Sequence, residues 1–167
     1  MMKVVCILLV SLIPQVSYLE AMESLNANQA FEKLKSLQGI WEKESDKNGD
    51  FEITFELTAN KSVLIESWMY KGKTHSLTLY HRNADDLMAT HYCPQGNQPR
   101  LVMIPNSSES SISFRYFDAT NLKSLDDSHQ HSLGFEFSGL PQNLQRIESY
   151  LSNSVEESSE LRLKRKE

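Results

Sequence analysis

The stretch "DFEITFEL", residues 50–57, decides the fold class of this chain. Its four apolar residues alternate strictly with acidic and hydroxyl residues. Apolar side chains at every second position are typical of a β-strand that buries one face and exposes the other. A polar turn, "ANKS" (59–62), follows at once, and the run "SVLIESWMY" (62–70) then predicts a second strand antiparallel to the first.

The same two-residue period recurs through most of the chain, interrupted by short polar connections. Further strands are predicted near residues 37–44, 74–82, 86–93, 98–104, 111–117, 131–137, 143–151 and 159–166. Ahead of them, apolar residues at helical spacing predict one short helix at 26–37, with Asn28 as its N-cap.

Nine or ten strands joined mostly by short loops favour antiparallel neighbours, and closing such a meander removes its exposed edges. We therefore predict an all-β fold, an antiparallel up-and-down closed β-barrel of 8–10 strands with a short N-terminal helix. A lipocalin-like barrel is favoured over a sandwich because "SVLIESWMY" is apolar on both faces.

The N-terminus predicts export. Lys3 precedes an uncharged apolar run, "VVCILLVSLI" (4–13), which matches a signal-peptide core and is too short to span a membrane comfortably. We predict a signal peptide at 1–21, a single barrel domain at 22–167, no membrane span after cleavage, and a periplasmic or extracellular location.

Charge and cysteine content narrow the function classes. The formal net charge is −5, which disfavours a nucleic-acid partner because a phosphate backbone calls for a dense positive surface. Cys6 would leave with the signal peptide, so Cys93 would stand alone and no internal disulfide could form. Stability must then come from the core, and the oligomeric state is left open.

Several segments resemble one family. The chain is similar to a family of exported, mostly bacterial proteins of unknown function with a lipocalin-like (calycin-type) barrel. The resemblance extends over most of residues 37–151 and rests on "LQGIWEKE" (37–44), "SVLIESWMY" (62–70), "THYCPQGNQPR" (90–100), "FDATNL" (117–122) and "HQHSLGFEF" (129–137).

The resemblance implies a fold and an exported location, and no established activity. In barrels of this type the tryptophan of a Gly-x-Trp opening strand packs across the barrel floor, so Gly39 and Trp41 are expected to do so here. The family usually carries a tryptophan on the penultimate strand, where this chain has Tyr150 in "RIESYL".

The predicted function is binding of a small apolar or amphipathic molecule. Such pockets are mostly apolar with a few placed polar groups. The candidate ligand-binding residues are His91, Tyr92, Arg100, Arg115 and Trp68, with the two arginines suited to an anionic head group.

Structural roles are an alternative for the "THYCPQGNQPR" segment. It can be a strand, a hairpin turn and the start of the next strand. Gly96 would then supply a positive φ, Asn97 would cap the turn, and Arg100 would pair with Glu66 or Asp86.

Catalytic and metal readings are weaker. His91 and Cys93 are two residues apart on one strand, so their side chains point in parallel and are poorly placed for proton transfer. His129 and His131 form His-x-His, but this spacing alone is a weak metal signal, and we predict no metal site and no cofactor.

The sequence therefore favours a non-enzymatic binding protein. Two alternatives stay open. One is an isomerase or hydrolase using His91, Tyr92 and Arg100, and the other is a structural or interaction protein whose barrel is filled by its own side chains.

Overall fold

The computed structural model describes residues 24–167, which form one helix and ten strands. The predicted signal peptide at 1–21 lies outside the described residues. The elements are α1 (Ala27–Lys35), β1 (Gly39–Lys43), β2 (Phe51–Thr58), β3 (Val63–Tyr70), β4 (Lys73–Asn83), β5 (Asp86–Tyr92), β6 (Gln98–Met103), β7 (Ser111–Thr120), β8 (His129–Glu136), β9 (Asn143–Ser152) and β10 (Val155–Arg165).

The strands close into one up-and-down barrel, as the alternating sequence predicted. Each strand pairs antiparallel with the next in the chain, and β10 returns to β1 through the pairs Trp41↔Arg165 to Lys43↔Leu163. Tight hairpins make this order possible. The β9–β10 turn, for example, places Asn153 and Ser154 at φ 49° and 62°, a conformation that matches the twist of the flanking strands.

Helix α1 covers one end of the barrel, called here the helix end. Its buried face consists of Ala27, Ala30, Phe31 and Leu34. The N-cap is Asn26, which forms a capping box with Gln29, so the predicted Asn28 cap was wrong by two residues. The helix also ends at Lys35, before the predicted residue 37.

Trp41 lies at the helix end and is fully buried, as the Gly-x-Trp resemblance implied. Its indole N–H donates to the Leu37 carbonyl at 2.7 Å, and the Arg165 guanidinium carbon lies 4.3 Å from the ring centroid. Gly39 adopts φ +130°, and a Cβ there would meet Arg165 Nη1 at 2.7 Å. Glycine is therefore needed both for the backbone and for the close approach of the arginine.

Side chains fill most of the barrel interior. The largest fully buried ones are Trp41, Arg146, Tyr80, Phe55, Phe114, Phe135, Leu34, Leu37, Ile53, Leu64, Leu87 and Leu101. Nearly all of them are apolar or aromatic, and one is an arginine. The well-defined pockets among residues 24–167 lie outside the wall or among loops rather than inside the barrel. Within the same residues, no helix is long and apolar enough to cross a membrane.

Candidate functional site

A group of polar side chains lies inside the barrel between the apolar helix end and the opposite end, called here the open end. We name it the inner cluster and define it as Glu66, Trp68, Tyr80, Gln130, Arg146 and Glu148. Strand alternation brings these residues inside, since Glu66 and Trp68 follow the buried Leu64 on β3 at every second position. Arg146 and Glu148 follow the buried Leu144 on β9 in the same way.

Arg146 is the centre of the inner cluster, with no exposed side-chain surface. Its Nε lies 2.7 Å from Glu66 Oε1, and its Nη1 lies 2.9 Å from Glu148 Oε2. Burial alone would lower the pKa of Arg146, but the two carboxylates outweigh it and hold the pKa above its ordinary value. The guanidinium is therefore charged at neutral pH.

The two carboxylates use only part of the hydrogen-bonding capacity of Arg146. Nε and Nη1 lie within hydrogen-bonding distance of Glu66 and Glu148, and among residues 24–167 no acceptor engages Nη2. A guanidinium presents five N–H donors in a fixed fork, so a donor left over in a buried site is costly.

Glu66 uses both of its carboxylate oxygens within the cluster. Oε1 accepts from the Trp68 indole N–H and contacts Arg146, and Oε2 accepts from the Tyr80 hydroxyl. Burial, followed by the Glu66 charge, raises the pKa of Tyr80 well above its ordinary value, so the phenol keeps its proton and acts as a donor. Both oxygens of Glu66 are thus engaged, and Glu66 is a structural partner of Arg146.

Glu148 is only partly satisfied. Its Oε2 accepts from Gln130 Nε2 at 2.8 Å and lies beside Arg146, while no hydrogen bond from residues 24–167 engages Oε1. Burial would raise the pKa of Glu148, but Arg146 and the Gln130 hydrogen bond lower it overall, so the carboxylate is ionised at neutral pH. The other amide atom, Gln130 Oε1, is buried and has no partner in the described part of the chain.

His91 lies next to the inner cluster and faces inward. Its Nδ1 is 2.9 Å from the Thr78 hydroxyl, and its Nε2 is 3.2 Å from the Tyr150 hydroxyl. Burial, reinforced by the Arg146 charge, lowers its pKa to about 4, so the ring is neutral at pH 7. Burial also raises the pKa of the neighbouring Cys93 thiol, which argues against a thiolate nucleophile there.

The barrel wall is incomplete beside the inner cluster. Strand β10 pairs with β1 only through Leu163–Arg165, so its first half has β9 as its sole partner among the described strands. On this half, Ser159 and Glu157 pair with Glu148 and Tyr150 and share their inward face, yet both are exposed. Solvent therefore reaches the inner face of the wall at the open end.

Half-buried apolar side chains border this opening. Trp68 and Phe51 pack edge to face with ring centroids 5.3 Å apart, and Leu161 lies opposite Arg146. The Arg146 guanidinium carbon lies over the Trp68 ring, 4.6 Å from the ring centroid. The open end thus combines an aromatic and aliphatic rim with charged groups just beneath it.

The structure separates the predicted ligand-binding residues. His91 and Trp68 face the interior, whereas Tyr92 and Arg100 lie on the outside of the wall. The exposed Arg115 lies on the outside as well, paired with Val102 and Ser132.

Tyr92 and Arg100 line one outer groove of about 420 Å³, together with His81, Met88, Thr90 and Gln98. The Arg100 guanidinium makes a two-pronged contact with Asp118 rather than with the predicted Glu66 or Asp86. This pairing leaves Arg100 little freedom to hold an anionic head group.

The hairpin at 93–97 confirms one structural prediction and corrects another. Gly96 has φ +90°, the left-handed conformation expected for it. Asn97 does not cap its own turn. Its side-chain N–H donates a hydrogen bond to the Ser128 carbonyl, with an N···O distance of 2.8 Å, and so connects this hairpin to the β7–β8 loop.

The two histidines of the His-x-His pair lie around an aromatic ring. Tyr116 has its centroid 4.7 Å from that of His129 and 5.9 Å from that of His131. Among residues 24–167 no three His, Cys, Asp or Glu side chains are grouped so that they could hold a metal ion.

Comparisons with protein-family models and with curated proteins found no match for this chain. The closed, ten-strand antiparallel barrel is established by its own architecture, and the family resemblance stays an expectation.

Sequence reasoning missed the inner cluster apart from Trp68. A signal was present, since "LIESW" and "LQRIESY" each place a charged residue, Glu66 or Arg146, two positions after a leucine that is buried. A charge at such a position must find a partner inside the barrel, but the sequence does not say which one.

Proposed function

We propose that this protein is an exported lipocalin-like barrel that binds a small amphipathic molecule at its open end, with the polar head of the ligand against the inner cluster. The observation that carries the proposal is a buried charged cluster with unmatched donors and acceptors beside an opening in the wall. Among the described residues, Gln130 Oε1 and Arg146 Nη2 are the unmatched atoms.

The energetic cost of such a cluster supports a role in binding. A buried polar atom without a partner costs about 1–3 kcal/mol, and buried ion pairs often stabilise a fold less than apolar side chains of the same volume would. A ligand or bound water that supplies the missing partners recovers part of this cost. Strongly perturbed titratable groups such as His91 are also enriched at functional sites.

The apolar part of the ligand would rest on the rim formed by Phe51, Trp68 and Leu161. The interior beyond the cluster is occupied by side chains, so the ligand would sit shallowly rather than deep in the barrel. This favours a short amphipathic molecule over a long fatty chain.

Export enters the proposal through the N-terminal sequence and the family resemblance. The apolar run at 4–13 after Lys3 supports a cleaved signal, and a barrel without internal disulfides is compatible with a secreted domain stabilised by its core. The mass of the mature protein, measured after expression with its own N-terminus in a bacterial host, tests cleavage near residue 21.

A filled structural barrel is the second candidate, and the packed interior favours it. The two tryptophans distinguish the candidates, because Trp41 is buried at the helix end and Trp68 lies at the open end. In a Trp41→Phe variant the emission reports on Trp68 alone, and in a Trp68→Phe variant on Trp41 alone.

Binding at the open end predicts that small amphipathic molecules change the emission of the Trp41→Phe variant and leave that of the Trp68→Phe variant unchanged. Native mass spectrometry of protein purified from its own host gives an independent readout of a carried ligand. A protein that arrives empty, with neither variant responding to any compound, would support the filled barrel.

The enzyme alternative loses its proposed geometry. His91 faces inward while Tyr92 and Arg100 face outward, so one substrate in the barrel cannot contact all three. We therefore do not carry that triad further.

A further inference from the structure

The inner cluster contains more carboxyl groups than cationic groups. Glu66 and Glu148 share one guanidinium, Arg146, and the neighbouring His91 ring is neutral at pH 7. Glu66 is fully buried, and both of its oxygens are engaged within the cluster. Glu148 is ionised at neutral pH, uses one oxygen toward Arg146 and Gln130, and keeps 10% of its side-chain surface exposed.

The unpaired hydrogen-bonding atom beside Glu148 is an acceptor, the side-chain oxygen of Gln130. Gln130 Nε2 donates to Glu148 Oε2, and this contact fixes the orientation of the amide, because the reverse orientation would place oxygen against oxygen. Gln130 Oε1 is therefore an acceptor, and it is buried without a partner in a residue with no exposed surface. A ligand that satisfies this atom must bring an N–H or O–H donor.

The rim of the open end also suits a cation. Tyr150 and Trp68 are half-buried there, and a cation is attracted to an aromatic face when it is partly removed from water. Because the Trp68 ring already carries the Arg146 guanidinium, Tyr150 is the better placed of the two for a ligand cation. The exposed Glu157 adds a carboxylate on the same inward face as Tyr150. An anion would meet the Glu148 and Glu157 charges before it could reach the buried Arg146. His75, Tyr80, Cys93 and Tyr150 are further titratable side chains that act on this region.

We infer that the open end selects a small molecule with a cationic head, such as a primary ammonium, bound by the Glu148 carboxylate and the Gln130 amide oxygen. This inference rests on the proposed function and names its ligand class. It replaces the anionic head group expected from Arg100 and Arg115, because both arginines lie outside the wall.

Three probes of equal shape test the charge preference. Benzylamine, benzyl alcohol and benzoate share one ring and differ in a head group that is cationic, neutral or anionic at pH 7. Calorimetric titration of the mature protein at low ionic strength should show benzylamine binding at least tenfold more tightly than benzyl alcohol. Benzoate should show no binding at the same concentrations.

A matched pair of variants locates the charge. Glu148→Gln should reduce benzylamine affinity at least tenfold and leave benzyl alcohol affinity unchanged. Glu160→Gln makes the same change on β10, at an exposed residue that pairs with Ile147 on the outside, and should not alter either affinity. Glu157→Gln, at an exposed position that tolerates change, should weaken benzylamine about threefold.

The possible outcomes distinguish a failure of the cation preference from a failure of the open-end binding site. Equal binding of benzylamine and benzyl alcohol, or tighter binding of benzoate, overturns the cation preference and leaves the open-end site standing. Loss of benzylamine binding in Glu160→Gln but not in Glu148→Gln also overturns it. If no probe binds and Trp68 emission never changes, the open-end site itself is refuted. The comparison of the three probes needs no variant, so a misfolded Glu148→Gln protein would not prevent a decision.

Discussion

Each end of the barrel stacks an arginine on a tryptophan, but the two guanidinium groups meet different partners. At the helix end, Arg165 covers Trp41 and donates to three backbone carbonyls at 2.6–2.9 Å. At the open end, Arg146 covers Trp68 and meets two carboxylates at 2.7 and 2.9 Å. The same residue pair therefore clasps backbone in one place and forms part of a buried layer of charged side chains in the other.

The difference lies in how rigidly each acceptor is held. The Ser36, Gln38 and Pro141 carbonyls that receive Arg165 belong to backbone fixed by the helix and by strand pairing. The acceptors around Arg146 are the side chains of Glu66, on β3, and of Glu148, on β9 beside Arg146 itself, and each makes further contacts within the cluster. A site built from such side chains can rearrange when a third partner arrives, which is why we place binding at the open end.

The largest effect should follow from removing Arg146. Arg146→Met leaves two buried carboxylates without their counter-ion, and breaking a buried ion pair in this way typically costs about 3–5 kcal/mol. Urea unfolding at pH 7 measures the change. Combining this change with Glu66→Gln and Glu148→Gln removes all three charges and should recover much of the loss. Equal stability of the single and triple variants would show that the cluster is not electrostatically coupled.

Acidification should lower the free energy of unfolding through the protonation of His91. The unfolded chain takes up a proton on this ring near pH 6.5, while burial and Arg146 delay uptake in the folded state until about pH 4. The unfolded state therefore binds more protons between these values, and the free energy of unfolding falls as pH is lowered from 6.5 to 4, by about 3 kcal/mol.

His91→Gln keeps neutral hydrogen-bonding groups between Thr78 and Tyr150 and should flatten this part of the pH profile. Denaturant unfolding at intervals of half a pH unit measures it. His81→Gln, a half-buried histidine on the outer face, is the control and should keep the parent slope. A His91→Gln profile as steep as that of the parent protein would contradict the assignment.

An intermediate effect is expected at the helix end. Gly39→Ala forces a Cβ into a backbone with φ +130° and against Arg165, and should cost about 2 kcal/mol. Gly49→Ala has φ +68° but no atom within 4 Å, so it isolates the backbone strain and should cost about 1 kcal/mol. Thermal unfolding compares the two variants. Equal losses of stability would mean that the Arg165 side chain moves away from the new Cβ at no cost.

The smallest effect should come from the outer face. Arg100→Ala removes a solvent-exposed ion pair with Asp118, and such pairs contribute about 0.2–1 kcal/mol. Binding of benzylamine at the open end should not change. A loss of ligand affinity in this variant would move the site to the outer groove and reverse the comparison between the ends.

The fold could be predicted closely from the sequence because β-periodicity is local. Alternation in "DFEITFEL" and its neighbours located the strands, and closure followed from their number and short connections. The errors were at ends and caps. Asn26 rather than Asn28 caps the helix, because the capping box with Gln29 is completed only from that position. The last strand begins at Val155, earlier than residue 159, because a two-residue turn starts it immediately.

The candidate site was predicted only in part. His91 and Trp68 were identified as candidates and do face the interior, while Tyr92, Arg100 and Arg115 face outward. On β5, both faces mix apolar and polar residues, so the sequence could not say which one was inside. Burial of that strand is decided by its neighbours on β4 and β6, not by its own pattern.

The sequence by itself determined the strands and the fold class, since both depend on spacing within a few residues. Only the tertiary structure decided that Glu66 meets Arg146 and Glu148, because Glu66 lies on β3 and the other two lie on β9, about 80 positions later in the chain. The tertiary structure also decided that β10 extends beyond the end of β1 and leaves the wall open beside these three side chains. Pairing across a barrel depends on register around the whole ring, and no local pattern encodes that.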